Sequence, residues 1–220
     1  MKRTIVYIDG YNLYYLLIRG TGDKWLDLYA FAKGLLSADH DILAVKYFMS
    51  MVVPYPYDAA SIERQNIYLQ AVATDPRIRI ILGFYSKKPA VLPARTAVCR
   101  ECPDARNGFV RVYKFEEKRS DVNMAVAAVH DAAKDLADSF VLVIGDSDQV
   151  ATINSVRKDF GKQVLVFDPH DKVCDDLKKA ATYYKAIPRD LPSRCHLPLS
   201  VTDARGKTIV CPDVWRSGSL

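Results

Sequence analysis

Long apolar runs are missing from this chain of 220 residues. None approaches the ~18 consecutive apolar residues that a bilayer span needs, so no membrane association is expected. No secretory leader is expected either. Lys2 and Arg3 precede an apolar stretch, but Asp9 ends it within a few residues, too early for a signal peptide. Cysteine is sparse and odd in number, five in all, which excludes the even framework of a small disulfide-stapled secreted domain. A reducing cytoplasm is therefore the expected location. Internal repeats and low-complexity tracts are absent. A large charge excess is absent too: the formal net charge is +5, which permits a polyanionic partner without demanding one.

What the chain does have is alternation. Half of its residues are hydrophobic, enough for one well-packed domain and an extension. Short apolar strand candidates fall at 3–8, 43–49, 78–83, 140–144 and 163–167, with a weaker one at 184–187. Helix candidates lie between them at 26–37, 58–73, 120–136, 148–159 and 172–182. Ser120 is placed to cap the third of these. On the same helix Val122, Ala125, Val126 and Val129 recur at helical spacing. Strand–helix alternation predicts an α/β fold with a mostly parallel sheet covered on both faces.

Two segments break the alternation. Residues 84–119 are too long for a simple connection and carry nine basic residues against four acidic ones. The tail from 188 onward holds Pro188, Pro192, Pro198 and Pro212 and reads as an irregular extension.

The chemistry concentrates where strands end. The run Phe140–Ile144 is followed by Gly145-Asp146-Ser147-Asp148, and the run Thr4–Ile8 by Asp9-Gly10. In extended backbone, positions i and i+2 point the same way. Like charges so placed repel each other unless solvent or a cation intervenes. Asp121 opens the helix that feeds the 140–144 strand, so Asp9, Asp121, Asp146 and Asp148 converge at the carboxyl edge of a parallel sheet, where ligands collect in open α/β folds. Hard oxygen donors without neighbouring His or Cys point to Mg²⁺ or Mn²⁺, and such an ion suits phosphodiester hydrolysis. Asn12 is placed to orient a ligand beside Asp9. Each acid taken singly is also an ordinary cap or turn residue; the functional reading rests on their coincidence.

Three strings, in order, resemble the NYN domains of the PIN-like nucleases: Ile8-Asp9-Gly10-Tyr11-Asn12-Leu13, Glu117-Lys118-Arg119-Ser120-Asp121-Val122, and Gly145-Asp146-Ser147-Asp148. The Cys99-x-x-Cys102 pair ahead of the second string is similar to that of the LabA-like branch. The resemblance covers roughly residues 1–187, leaving 188–220 as a C-terminal extension. It implies a three-layer α/β/α fold and metal-dependent cleavage of RNA. Asp9, Asp121 and Asp146 would be the core acids, with Asp148 as a fourth and Asn12 as a polar companion. Asp168 is outside the family pattern and is kept as an outer group.

Around that site, Tyr11 is a candidate for stacking unpaired bases, while Lys87, Lys88, Arg111, Lys118 and Arg119 are candidates for phosphate contact. Cys99 and Cys102 have zinc-knuckle spacing, but structural zinc needs four ligands and no second pair is evident. Zinc, a reversible disulfide and plain thiols stay open. The leading expectation is a cytoplasmic Mg²⁺- or Mn²⁺-dependent ribonuclease, in which a homodimer is compatible with the exposed insertion. The rival is an RNA-binding module with little catalysis. A phosphatase of the haloacid-dehalogenase type would want a second acid two residues after Asp9, where Tyr11 stands.

Overall fold

Six parallel strands form the central sheet of the structure, a computed structural model that describes residues 1–53, 58–93 and 109–216. The strands are β1 (Lys2–Asp9), β2 (His40–Met49), β3 (Ile78–Leu82), β6 (Ser139–Val143), β7 (Gln163–Asp168) and β8 (Tyr183–Ala186), in the order β3-β2-β1-β6-β7-β8. Every adjacent pair is parallel. This agrees with the α/β/α expectation.

Strand side chains alternate between the two faces, and the sheet uses both. Val6, Ile8, Val45, Met49, Val141 and Val143 pack on one side, against α2 (Leu28–Leu35), α3 (Ser61–Val72) and residues of the tail. Ile5, Tyr7, Phe48, Phe140, Leu142 and Val166 pack on the other, against α4 (Ser120–Ala133), α5 (Val150–Asn154) and α6 (Asp175–Ala180). Strands buried on both faces need to be apolar at nearly every position, which is why they were legible as continuous runs.

From β1 the chain moves to β2 and β3 on one side, then crosses back to β6 on the other. The order therefore reverses between β1 and β6, and a crevice opens beyond the carboxyl ends of those two strands. Asp9 ends β1, and Asp146 follows β6 by three residues.

Three local expectations are corrected. Ser120 does not cap α4; the cap position is Arg119, with no side-chain cap bond, and the Ser120 hydroxyl instead donates to Glu117. The apolar stripe read on α4 is only partly a buried one: Val129 packs against the core, but the two valines before it face outward. Val122 and Val126 are 65% and 63% exposed, while Met124, Ala128, Asp131 and Ala132 face the sheet. The inner stripe was hidden because it contains a carboxylate, Asp131. The 84–119 insertion contains a ribbon of β4 (Phe84–Pro93) and β5 (Phe109–Lys118), paired antiparallel and separate from the main sheet. The strand β4 carries prolines at 89 and 93, which a two-stranded ribbon tolerates because it is all edge. The tail, expected to be irregular, adds a second small pair, β9 (Ser200–Thr202) and β10 (Thr208–Val210), and buries Cys195, Ile209 and Cys211 in the core. Burial pushes both of those thiols above their ordinary pKa. Cys99 and Cys102 lie outside the described residues. No helix among the described residues is long and apolar enough to cross a membrane.

Candidate functional site at the carboxyl edge of the sheet

Asp9 sits at the switch point and is 4% exposed. It caps α1 (Gly10–Leu13): its Oδ1 accepts from the Asn12 backbone N–H at 2.9 Å, and its Oδ2 accepts from the Asn12 side-chain amide. Asn12 thus grips the carboxylate instead of reaching outward. Burial pushes the Asp9 carboxyl up to about 6; the two Asn12 hydrogen bonds pull it down, and the charges of Asp121 and Glu117 push it up further.

Asp121 lies in the first turn of α4. Its carboxyl is raised by loss of hydration and then by Glu117, Asp146 and Asp148. The structure therefore brings the sequence-predicted acids Asp9, Asp121, Asp146 and Asp148 into one electrostatic neighbourhood. The charges acting on Asp121 are all negative. Uncompensated acids of this kind cost free energy until a cation arrives.

Glu117 belongs to the same group, although its position at the head of the Glu-Lys string was the only sequence sign of it. It is the penultimate residue of β5, accepts a hydrogen bond from Ser50 Oγ at 2.9 Å, and also accepts from Ser120. Between Glu117 and Asp121 the chain turns through Arg119 at φ 80°, a left-handed conformation uncommon outside glycine. That turn folds the strand end back onto the helix start. The Arg119 guanidinium lies over the Phe84 ring at 4.5 Å.

A buried amide joins the two halves of the site. Gln149 Nε2 donates to the Asp121 backbone carbonyl at 3.2 Å, and its Oε1 accepts from Thr152 at 2.9 Å. The turn carrying Asp146 and Asp148 is pinned in this way to the start of α4. Within that turn Asp146 Oδ1 accepts from the Asp148 backbone N–H at 3.1 Å, so Asp146, and not Asp148, is the capping residue.

Asp168 is not one of the converging acids. It is fully buried, and it holds His170 and Tyr184: His170 Nδ1 lies 2.9 Å from its Oδ1, and the Tyr184 hydroxyl donates to its Oδ2 at 2.6 Å. The His170 ring in turn covers Gly145. A Cβ at position 145 would overlap that ring and stand 3.0 Å from Asn12 Oδ1. Gly145→Ala is therefore expected to cost about 1–3 kcal/mol through overpacking and to release His170 from Asp168. The imidazole NMR signals and the urea midpoint test this; if neither moved, the close contact would be wrong.

The ribbon divides the basic candidates. Residues opposite or two apart on a β-ribbon share a face, and the register pairs Tyr85 with Glu117, Lys87 with Phe115 and Val91 with Arg111. Tyr85, Lys87, Arg111, Tyr113 and Phe115 therefore share the Glu117 face, with Lys87 Nζ 4.1 Å from the centre of the Tyr113 ring. Lys88 and Lys118 belong to the opposite face, and Lys118 pairs with Glu116 at 2.9 Å. Tyr11 is exposed beside Tyr15, with ring centres 4.3 Å apart.

Oxygen donors of this kind fit a hard divalent ion. Among the described residues, no three acidic, His or Cys side chains close up as a ready cage. Mg²⁺ does not need one, because it keeps several waters and is held by one or two carboxylates together with substrate phosphate.

The family profile described as the NYN domain matches residues 3–188. A curated protein of Pseudomonas putida, 6-hydroxy-3-succinoylpyridine 3-monooxygenase HspA, is 34% identical over 178 aligned residues, covering 70% of this chain and 55% of that protein. The chain thus spans little more than half of that relative's length. A solved protein of unknown function from Vibrio parahaemolyticus superposes with a TM-score of 0.52 at 18% identity, covering 86% of this chain and 94% of the other. At that identity the likeness is one of fold alone.

Proposed function

Since this chain belongs to the NYN domain family, a family of nuclease-like domains, we propose that it is a divalent-metal-dependent ribonuclease acting on single-stranded or looped RNA. The observation that carries the reading is the set of acids at the switch point, in which burial and neighbouring carboxylates raise both Asp9 and Asp121. Asp9, Asp121 and Asp146 would hold Mg²⁺ or Mn²⁺, with Asp148 and Glu117 flanking. A divalent ion held there supplies Lewis acidity toward a phosphoryl oxygen and acidifies water.

The protein's own part is positional. Asn12 fixes the rotamer of Asp9, and Gln149 fixes the spacing of Asp121 from the Asp146 turn. Lys87 and Arg111, on the Glu117 face of the ribbon, would meet backbone phosphates. Tyr11 and Tyr113 offer rings to unpaired bases. The oxygenase activity in the name of the Pseudomonas relative belongs to a protein of which this chain covers 55%, and the carboxylate cluster favours hydrolysis over it.

The test incubates wild type and Asp146→Asn with 5′-labelled single-stranded RNA and matched DNA, in Mg²⁺, Mn²⁺ or EDTA. RNA cleavage by wild type alone, lost in EDTA, is expected. RNA binding without cleavage in either ion would replace hydrolysis with a binding role.

A further inference from the structure

Beside the acids lies a cavity of about 190 Å³ that no step of the proposed hydrolysis uses. It shares Gly10, Tyr11 and Glu117 with the carboxylate site. Its walls are aromatic: Tyr11, Tyr14 and Tyr15 on one side, Tyr85 of the ribbon and Trp215 of the tail on others. Sites for drug-sized molecules run from about 300 Å³ upward. A cavity this small takes one planar ring system.

Tyr47 and Lys24 are among the polar groups in it without a partner among the described residues. Tyr47 is only 8% exposed, and its hydroxyl makes no hydrogen bond among the described residues. No fully buried side-chain polar atom among those residues is unsatisfied, so this hydroxyl reaches the cavity that Tyr47 lines. A tyrosine hydroxyl buried to this degree ordinarily has a partner. Lys24, also on the wall, forms no ion pair among the described residues. Of the other charged groups there, Arg64 pairs with Asp58, Asp23 meets His196, and Glu117 accepts from Ser50 and Ser120.

An aromatic slot, a buried hydroxyl and an ammonium without partners among the described residues, and continuity with the proposed phosphodiester-cleaving site match one ligand chemistry. We propose that this cavity receives a single unpaired nucleobase of the RNA strand, the nucleotide next to the scissile phosphate. The base stacks on Tyr11, its polar edge meets the Tyr47 hydroxyl, and its phosphate faces Lys24. The proposal rests on the ribonuclease reading for the identity of the strand, though not for the occupancy of the cavity.

Binding can be read without catalysis. The whole chain is titrated in EDTA, by calorimetry, with each of the four nucleoside 5′-monophosphates and with ribose 5-phosphate, which lacks the base. At least one nucleotide is expected to bind tenfold or more tightly than ribose 5-phosphate. Tyr11→Ala should weaken that nucleotide by roughly tenfold, as loss of a stacking partner does. Tyr47→Phe removes only a hydroxyl and should shrink the spread among the four bases; equal urea midpoints establish that both variants are folded. Nucleotides indistinguishable from ribose 5-phosphate, or indifferent to both substitutions, would overturn the proposal. RNA cleavage with no base effect discards the cavity and leaves the nuclease standing. Base-dependent binding in a protein that cuts no RNA keeps the cavity and discards the nuclease.

Discussion

Asp9→Asn is expected to abolish RNA cleavage and at the same time make the metal-free protein more stable at pH 7. The two effects have one cause. In the folded chain the Asp9 carboxyl titrates at about 6, against 3.8 ordinarily, because it is buried and faces Asp121 and Glu117. A carboxyl that keeps its proton longer in the folded state favours folding at low pH. That contribution is complete below the unfolded value of 3.8 and is lost as pH rises through about 6. The displacement corresponds to about 3 kcal/mol, so an amide in its place should recover about 1–3 kcal/mol at neutral pH.

The swap is nearly isosteric. Oδ1 still accepts from the Asn12 backbone, and the Asn12 amide flips to face the new donor. Activity is the other side of the exchange. Losing an outer partner of a metal ligand already costs 10–100-fold, so losing the ligand itself should cost more than about a hundredfold. Urea unfolding from pH 4 to pH 8 gives the slope, and the labelled-RNA assay gives the activity. Mn²⁺ should restore stability to wild type at pH 7 and leave the variant unchanged. A variant as active as wild type, or a wild type whose stability does not fall between pH 4 and pH 7 relative to the variant, would contradict this account.

Lys46→Ala is expected to be the most damaging single change away from the site. The Lys46 ammonium pairs with Asp131, and the Tyr7 hydroxyl donates to the same Oδ2 at 2.5 Å. Their side chains are 11% and 3% exposed. Burial works against the Asp131 charge, but the hydrogen bonds from Lys46 and Tyr7 outweigh it and hold the carboxyl below its ordinary pKa. Removing the lysine strands that charge at a cost of about 3–5 kcal/mol. Against a typical total of about 5–15 kcal/mol, that is a large fraction, and in a chain of this size it lowers the Tm by about 10 °C. The triple change Lys46→Met, Asp131→Leu, Tyr7→Phe removes all three polar groups together and should recover most of the loss. Thermal unfolding of the single and triple variants decides it. Equal Tm values for wild type and Lys46→Ala would mean that the pair contributes nothing.

Much of this was legible in the order of residues. A parallel strand buried on both faces must be apolar at nearly every position, and so Thr4–Ile8 and Phe140–Ile144 announce themselves without any partner in view. Carboxylates at the ends of two such strands already imply a shared edge, because parallel strands put their carboxyl ends on the same side. Residues that depend on a distant partner were not legible. Glu117 is one acid among several in a charged stretch until Ser50, sixty-seven residues away, donates to it. Asp131 reads as a solvated helix residue until Lys46 and Tyr7 arrive from neighbouring strands. The same holds for His170, which follows a strand-end acid outside the family pattern and acquires a place only where Gly145 leaves room for its ring. The sequence by itself determined the layers, the sheet edge and the acids that line it, since those follow from periodicity and local turn chemistry. Only the tertiary structure decided which face of α4 is buried, which basic residues of the ribbon share the Glu117 face, and that an aromatic cavity adjoins the acids, because each depends on contacts between segments far apart in the chain.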